Sequence, residues 1–186
     1  MRIPVCEGEE AIVPDGRATR LPYHAKASDA NMRLILLRHG RAAERSDWIG
    51  PDADRPLTAE GRLRTRAVVR AARALVRPVD AVWTSPFARA HATAVLAGRA
   101  WRAPVEVHPW LAAGAMSAIE CLAHLPGGDT VLVGHEPDLG ELLGVLIGGP
   151  PIALRKAGIA IVTGEPAAGG MTLELLLTPR ALLSEL

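Results

Sequence analysis

From Met32 onward the apolar positions of this chain follow two alternating periods. Residues 33–37 (RLILL) form a short continuous apolar run, the pattern of a strand buried on both faces. Thr58–Arg77 then reads as an amphipathic helix. Leu63, Ala67, Ala71 and Leu75 fall four apart as its expected buried stripe, while Arg62, Arg66, Arg70, Arg73 and Arg77 mostly point away. Thr58 is its expected N-cap. Asp80–Thr84 predicts a second strand, and Ser85-Pro86 predicts a helix start, with Ser as cap and Pro at the first helical position, running to about Ala97. Glu106 falls within another strand segment. Ser117–Glu120 has the spacing of a capping box, with Met116 and Cys121 placed as a hydrophobic staple. Thr130–Gly134 predicts a third apolar strand. Pro137–Ile147 predicts a helix with Leu139, Leu142, Leu143, Leu146 and Ile147 on one face. Ala160–Thr163 and Thr172–Leu177 read as two strands flanking the turn segment GEPAAGG.

Strand–helix alternation of this kind implies an α/β fold of three layers, α/β/α, with a mostly parallel central sheet flanked by helices. Residues 1–31 differ: three prolines, scattered charge and no sustained period predict a loosely ordered N-terminal extension, leaving residues 32–186 as the domain. Met32-Arg33, directly before the first strand, is a second candidate start.

Composition narrows the function classes. The 186 residues suit one domain with an appendage, and 49% hydrophobic and 22% charged residues are ordinary globular values. A formal net charge of +1 supplies no global field for nucleic acid or an anionic membrane, and 3% aromatics leave few stacking platforms. The arginine row on the first helix therefore reads as a solvated face. Residues 139–151 are too short an apolar stretch to span a bilayer and contain Glu141, and the N-terminus has no signal-type apolar run. Cys6 and Cys121 form no CxxC and no metal spacing. A reducing, cytoplasmic location is the expectation, with neither membrane nor nucleic acid as partner.

Candidate chemistry sits at three strand ends. Arg38-His39-Gly40 follows RLILL, Ser85-Pro86 with Arg89 follows DAVWT, and Gly134-His135-Glu136-Pro137 follows TVLVG. In open α/β sheets, ligands bind beyond the carboxyl ends of the strands. Two arginines and two histidines should therefore converge there, with helix N-termini behind them. Arginine forks and helix N-termini both suit phosphate oxygens. A neutral imidazole is a competent nucleophile toward phosphorus. Arg38, Arg89 and a charged His135 are expected to keep His39 neutral, with its other ring nitrogen donating to a carbonyl. No G-x-G-x-x-G or Walker A loop is present, and Ser85 lacks a G-x-S-x-G elbow and reads as a helix cap. His91 faces elsewhere, and His24, His108 and His124 have no assigned role. A metal site from His39, His135 and Glu136 or Asp138 is disfavoured because the arginines would repel a cation. No cofactor is expected.

The segments LILLRHG, RPLTAEG, VWTSPFARA and LVGHEPDL resemble the signatures of the histidine phosphatase superfamily, which includes phosphoglycerate mutases and acid phosphatases. Their order and the short length most resemble the SixA-type phosphohistidine phosphatases, over roughly residues 32–179. The resemblance implies a phosphoglycerate mutase-like fold and His39 as a transiently phosphorylated nucleophile. It implies Arg38, Arg89 and His135 as catalytic, phosphate-binding partners and Arg55 of RPLT as a further substrate contact. Arg55 also has Asp52 and Asp54 at hand as structural pairs.

Relatives acting on alkyl phosphates carry an acid between the SP helix and the GH strand. Glu106, Glu120 and Asp129 are the carboxylates in that region here, and none suits the role. A leaving group that needs little protonation, such as the imidazole of a phosphohistidine, fits better. Arg41, where short relatives commonly have an acid, adds positive charge at the mouth. The expected activity is metal-independent phosphatase chemistry on a phosphorylated protein. A small phosphorylated molecule, or phosphoprotein binding without turnover, are the alternatives; a mutase lacks room for its insertions.

Overall fold

The computed structural model describes residues 32–76 and 78–184. The expected extension over residues 1–31 lies outside the described residues. The run after Met32 is β1 (Met32–Arg38), with Leu34 and Leu36 facing one core and Ile35 and Leu37 the other, all fully buried. A strand apolar on both faces requires a helical layer over each, and the remaining elements supply them. In chain order they are α1 (Ala59–Leu75), β2 (Ala81–Thr84), α2 (Ala88–Trp101), β3 (Val105–Val107), α3 (Ala118–Cys121), β4 (Thr130–Gly134), α4 (Asp138–Ile147), β5 (Ile159–Gly164), β6 (Met171–Leu177) and α5 (Pro179–Leu183).

The sheet order is β3-β2-β4-β1-β5-β6. The pairs β3–β2, β2–β4 and β4–β1 are parallel, whereas β1–β5 and β5–β6 are antiparallel. This is the expected three-layer, mostly parallel architecture. Over one face, α1, α2 and α5 bring Val68, Val69, Ala90, Ala94 and Leu182 onto Ile35, Leu37, Val131 and Val133. Over the other, α3 and α4 bring Cys121, Leu139, Leu142, Leu143 and Leu146 onto Leu34, Leu36 and Leu132. No helix among the described residues is long and apolar enough to cross a membrane.

The capping reading holds at two helices. Thr58 accepts from the Gly61 N–H at the start of α1, and Ser117 and Glu120 form a reciprocal capping box on α3. Two readings need correction. The expected buried stripe of α1 is wrong: Leu63 is 68% and Leu75 58% exposed, and the packed face is Gly61, Thr65, Val68, Val69 and Ala72. The cause is close approach. A Cβ on Gly61 would lie 2.0 Å from the Arg41 carbonyl oxygen, so small residues face inward and the leucines turn out. The start of α2 is also different. Ser85 is not its cap; the helix begins at Ala88, with Phe87 at the cap position, and ends at Trp101 rather than near Ala97.

These faces make opposite demands on a leucine. Leu143→Ala is expected to cost about 2–5 kcal/mol by chemical denaturation, because it empties a sealed core position. Leu63→Ala is expected to stay within about 0.5 kcal/mol of the parent. A large loss at Leu63 would show that the expected stripe is the packed one after all.

Candidate active site

The site is built by pinning three strand ends side by side. Beyond β1, the His39 N–H donates to the Gly134 carbonyl at 3.1 Å, and beyond β2 the Ser85 N–H donates to the Val133 carbonyl at 3.0 Å. The ladder thus continues one residue past each strand and sets Ser85, His135 and His39 along one edge. Gly40, the next residue, donates its N–H to Thr93 Oγ1 of α2 at 3.0 Å, while Thr93 Oγ1 donates to the Arg89 carbonyl at 2.8 Å. Only glycine fits at position 40: an added Cβ would lie 2.1 Å from Thr65 Oγ1.

His39 is 6% exposed. Its Nδ1 is 2.7 Å from the Gly40 carbonyl oxygen, so Nδ1 carries the proton and donates. On the other side, Arg89 Nε donates to His39 Nε2 at 3.3 Å. The Nε2 lone pair is therefore free of a proton and faces a cation. Burial, before all else, lowers the His39 pKa to about 3; the Gly40 hydrogen bond opposes this, and His135, Arg89 and Arg38 add to it.

Arg89, the second residue of α2, is itself braced. Its Nη1 donates to the Asp52 carbonyl oxygen at 2.7 Å and its Nη2 to Asp52 Oδ2 at 2.8 Å. Asp52 opens a short 3-10 turn, Asp52–Asp54, in the long connection between β1 and α1. Burial pushes the Asp52 carboxyl up, but the Arg55 hydrogen bond and the charges of Arg89 and Arg55 more than offset this and hold it below the usual range. Arg55 Nε donates to Asp52 Oδ1 at 2.9 Å, and its Nη1 donates to the Ala43 carbonyl. Arg55 thus reaches the site through Asp52. Arg38 Nη1 donates to the Leu154 carbonyl at 2.7 Å, and its buried Nε has no partner among the described residues.

His135 is 2% exposed, with its ring centroid 5.1 Å from that of His39 and 4.9 Å from that of Phe87. Its Nε2 lies 2.8 Å from Ser85 Oγ, and its buried Nδ1 has no partner among the described residues. Burial first, then Arg89, lowers its pKa to about 4. The expected charged His135 is thus corrected: in the free site it is neutral, because desolvation outweighs the pull of Asp52.

Sequence reasoning placed Arg38, His39, Arg89 and His135 together, and the fold brings them together. It missed Ser85 and Asp52. Ser85 was legible by the rule used for the two histidines, since it ends β2 as they end β1 and β4. For Asp52 only its three-residue spacing to Arg55 gave a signal. The carboxylates weighed as acids stand elsewhere. Glu106 is exposed on β3, with an oxygen 3.4 Å from His108 Nε2. Glu120 is held by its capping box, and Asp129 is bonded to the Arg33 N–H and guanidinium at the opposite sheet end. Glu136, next to His135, accepts the Leu154 N–H at 3.0 Å, and burial raises its pKa. Among the described residues no three His, Cys, Asp or Glu side chains are grouped to hold a metal ion.

Comparison with known proteins bears on the family and the fold. The model of the histidine phosphatase superfamily (branch 1) matches residues 34–124. An uncharacterized protein of Picosynechococcus sp. is 36% identical over 140 residues, 69% of this chain and 82% of that protein. The protein histidine phosphatase SixA complexed with tungstate has a TM-score of 0.71 at 27% identity, over 80% of this chain and 97% of that one. A mycobacterial glucosyl-3-phosphoglycerate phosphatase shares the fold with a TM-score of 0.60 at 20% identity, over 80% and 99%.

The two buried imidazoles make stability depend on pH. Both have folded pKa values below the unfolded value of about 6.5, so below that pH the unfolded chain binds protons that the folded chain refuses. Stability is therefore lost as pH falls from about 6.5 toward the folded values. Each imidazole is expected to cost about 2 kcal/mol at pH 5 relative to pH 7. Denaturation curves at the two pH values should show a smaller difference for His135→Asn than for the parent; an equal difference would refute the assignment.

Proposed function

The chain belongs to the histidine phosphatase superfamily, and from that premise we propose that it is a metal-independent phosphatase working through a phosphorylated His39. The observation that carries this reading is the His39 imidazole, neutral at Nε2, with its tautomer set by Gly40 on one side and Arg89 on the other. Phosphoryl transfer asks the protein for positioning and charge stabilisation more than for bond chemistry. Nε2 attacks phosphorus, and the bond to the leaving group breaks in line. Arg89, held in orientation by Asp52, and Arg38, held by the Leu154 carbonyl, take the equatorial oxygens. Arg55 braces Asp52 and adds to the cationic rim.

His135 fits the remaining role of donor. With the Ser85 hydroxyl donating to Nε2, the imidazole carries its proton on Nδ1, a buried group otherwise without a partner. A phosphoryl oxygen would satisfy it, and an unmade buried hydrogen bond is costly. Water then attacks the phosphoenzyme, releasing phosphate and the free imidazole.

The substrate we favour is phosphohistidine on a protein. What supports it is the position of Glu106, Glu120 and Asp129: Glu106 lies level with Leu36 across the sheet, three residues short of His39, Glu120 is engaged in its capping box, and Asp129 is bonded to Arg33 at the opposite sheet end. A phosphohistidine protonated on its remote ring nitrogen leaves as neutral imidazole and needs no such acid. The SixA likeness points the same way. A small phosphomonoester is the second reading, favoured by the shared fold of the glucosyl-3-phosphoglycerate phosphatase.

Phosphate release should survive EDTA, and tungstate or vanadate should compete with substrate. His39→Ala is expected to abolish turnover together with the acid-labile phosphoenzyme. Arg89→Ala should lower kcat/KM by about 100-fold or more. Full activity in His39→Ala would overturn the reading. Faster turnover of alkyl phosphates than of phosphohistidine would favour the small-molecule reading instead.

A further inference from the structure

A basic groove of about 450 Å³ lies against the catalytic edge and takes no part in the chemistry above. Its position follows from the topology. Because β5 runs antiparallel to β1 and β6 antiparallel to β5, the start of β5 and the end of β6 lie at the same sheet edge as His39. The first turns of α1, the segment before β5 and the start of α5 therefore wall a cleft beside the site. The wall is joined to the nucleophile through the backbone: the Ala157 N–H donates to the carbonyls of Arg38 (3.2 Å) and His39 (3.0 Å).

Five cations line this groove, namely Arg41, Arg64, Arg155, Lys156 and Arg180, against one carboxylate, Glu60. Glu60 is taken by Arg41 at 3.1 Å, and among the described residues the other four cations make no ion pair. Arg155 also stands near enough to Arg38 for their charges to interact. At the floor, Thr65 is fully buried and its Oγ1 has no hydrogen-bond partner. This concentration is set within a chain whose net charge is only +1. It is local, and its wall is bonded through the backbone to His39.

Small phosphates are held by braced forks, as Asp52 braces Arg89. The groove cations are exposed, all but Arg41 lack an ion pair among the described residues, and they come from four separate segments. That geometry suits an irregular surface carrying several negative side chains, with the gain in encounter and register rather than in the chemical step. We propose that this groove is the docking site for acidic side chains flanking the phosphohistidine of a protein substrate. The inference rests on the phosphohistidine reading given above and extends it to the chemistry of the partner.

The test uses synthetic phosphohistidine peptides that differ only in their flanks, one rich in Glu and one rich in Lys, with free phosphohistidine as the small substrate. For the parent enzyme, kcat/KM on the Glu peptide should exceed that on the Lys peptide by about tenfold or more at low salt, through KM, and the ratio should shrink as salt is added. The triple variant Arg64→Glu, Lys156→Glu, Arg180→Glu should reverse the preference while turning over free phosphohistidine within about twofold of the parent, since these exposed heads touch no reacting atom. Lys156→Glu alone, a single exposed change, should move the ratio in the same direction if the triple variant does not fold. Indifference of the parent to the flanks would overturn the proposal, and so would an unchanged preference in the variants or equal loss on all three substrates. Hydrolysis of a phosphomonoester with none of any phosphohistidine substrate would instead overturn the substrate reading, before flanks are compared.

Discussion

The His39 imidazole is buried among cations and kept unprotonated, as the proposed reaction requires. This constraint organises the molecule. Burial does most of it, by making charge on His39 expensive, and neighbouring positive groups add to the effect. The cost passes outward to the arginines, whose own burial lowers their pKa values and is only partly offset by Asp52 for Arg89 and by Glu136 for Arg38. Arg89 has the Asp52 carboxylate paired behind it, and Arg38 has the charge of Glu136 within range.

The architecture that permits this is the pinning of three parallel strand ends. Because β1 lies between β4 and β5, and β4 between β1 and β2, the residues after β1, β2 and β4 share one edge without any long reach. His39, Ser85 and His135 arrive there by strand register, and Arg89 by the first turn of the following helix. Loops are required only for Asp52 and Arg55. In the proposed reaction the chemistry therefore falls to strand ends and a helix start, and its bracing to the connection between β1 and α1.

Most of this was legible in the sequence where side-chain type and backbone element agree. Apolar runs at Arg33–Leu37 and Thr130–Gly134 have no stable alternative to a doubly covered strand, and the residues following them had to stand at a strand end. What was not legible depended on close packing. Leu63 and Leu75 look like core by hydrophobicity, yet Gly61 and Thr65 face inward because the chain at Arg41 passes within contact of the helix. Asp52 was hidden because its partner Arg89 is 37 residues away and no periodicity records such a pairing. The protonation state of His135 was misread because charge counting along a sequence omits desolvation, which here is the larger effect.

The antiparallel turn-back of β5 and β6 has a further consequence for how such a protein can change over time. It brings residues 155–157 and 178–180 beside His39 without either segment supplying Arg38, His39, Arg89 or His135. In the proposed reaction, substitutions at Lys156 or Arg180 leave the chemical step alone, whereas those at Gly40 or Arg89 disturb it. On the proposed reading, partner preference can shift through the exposed side chains of Lys156 and Arg180 while the phosphoryl site stays the same.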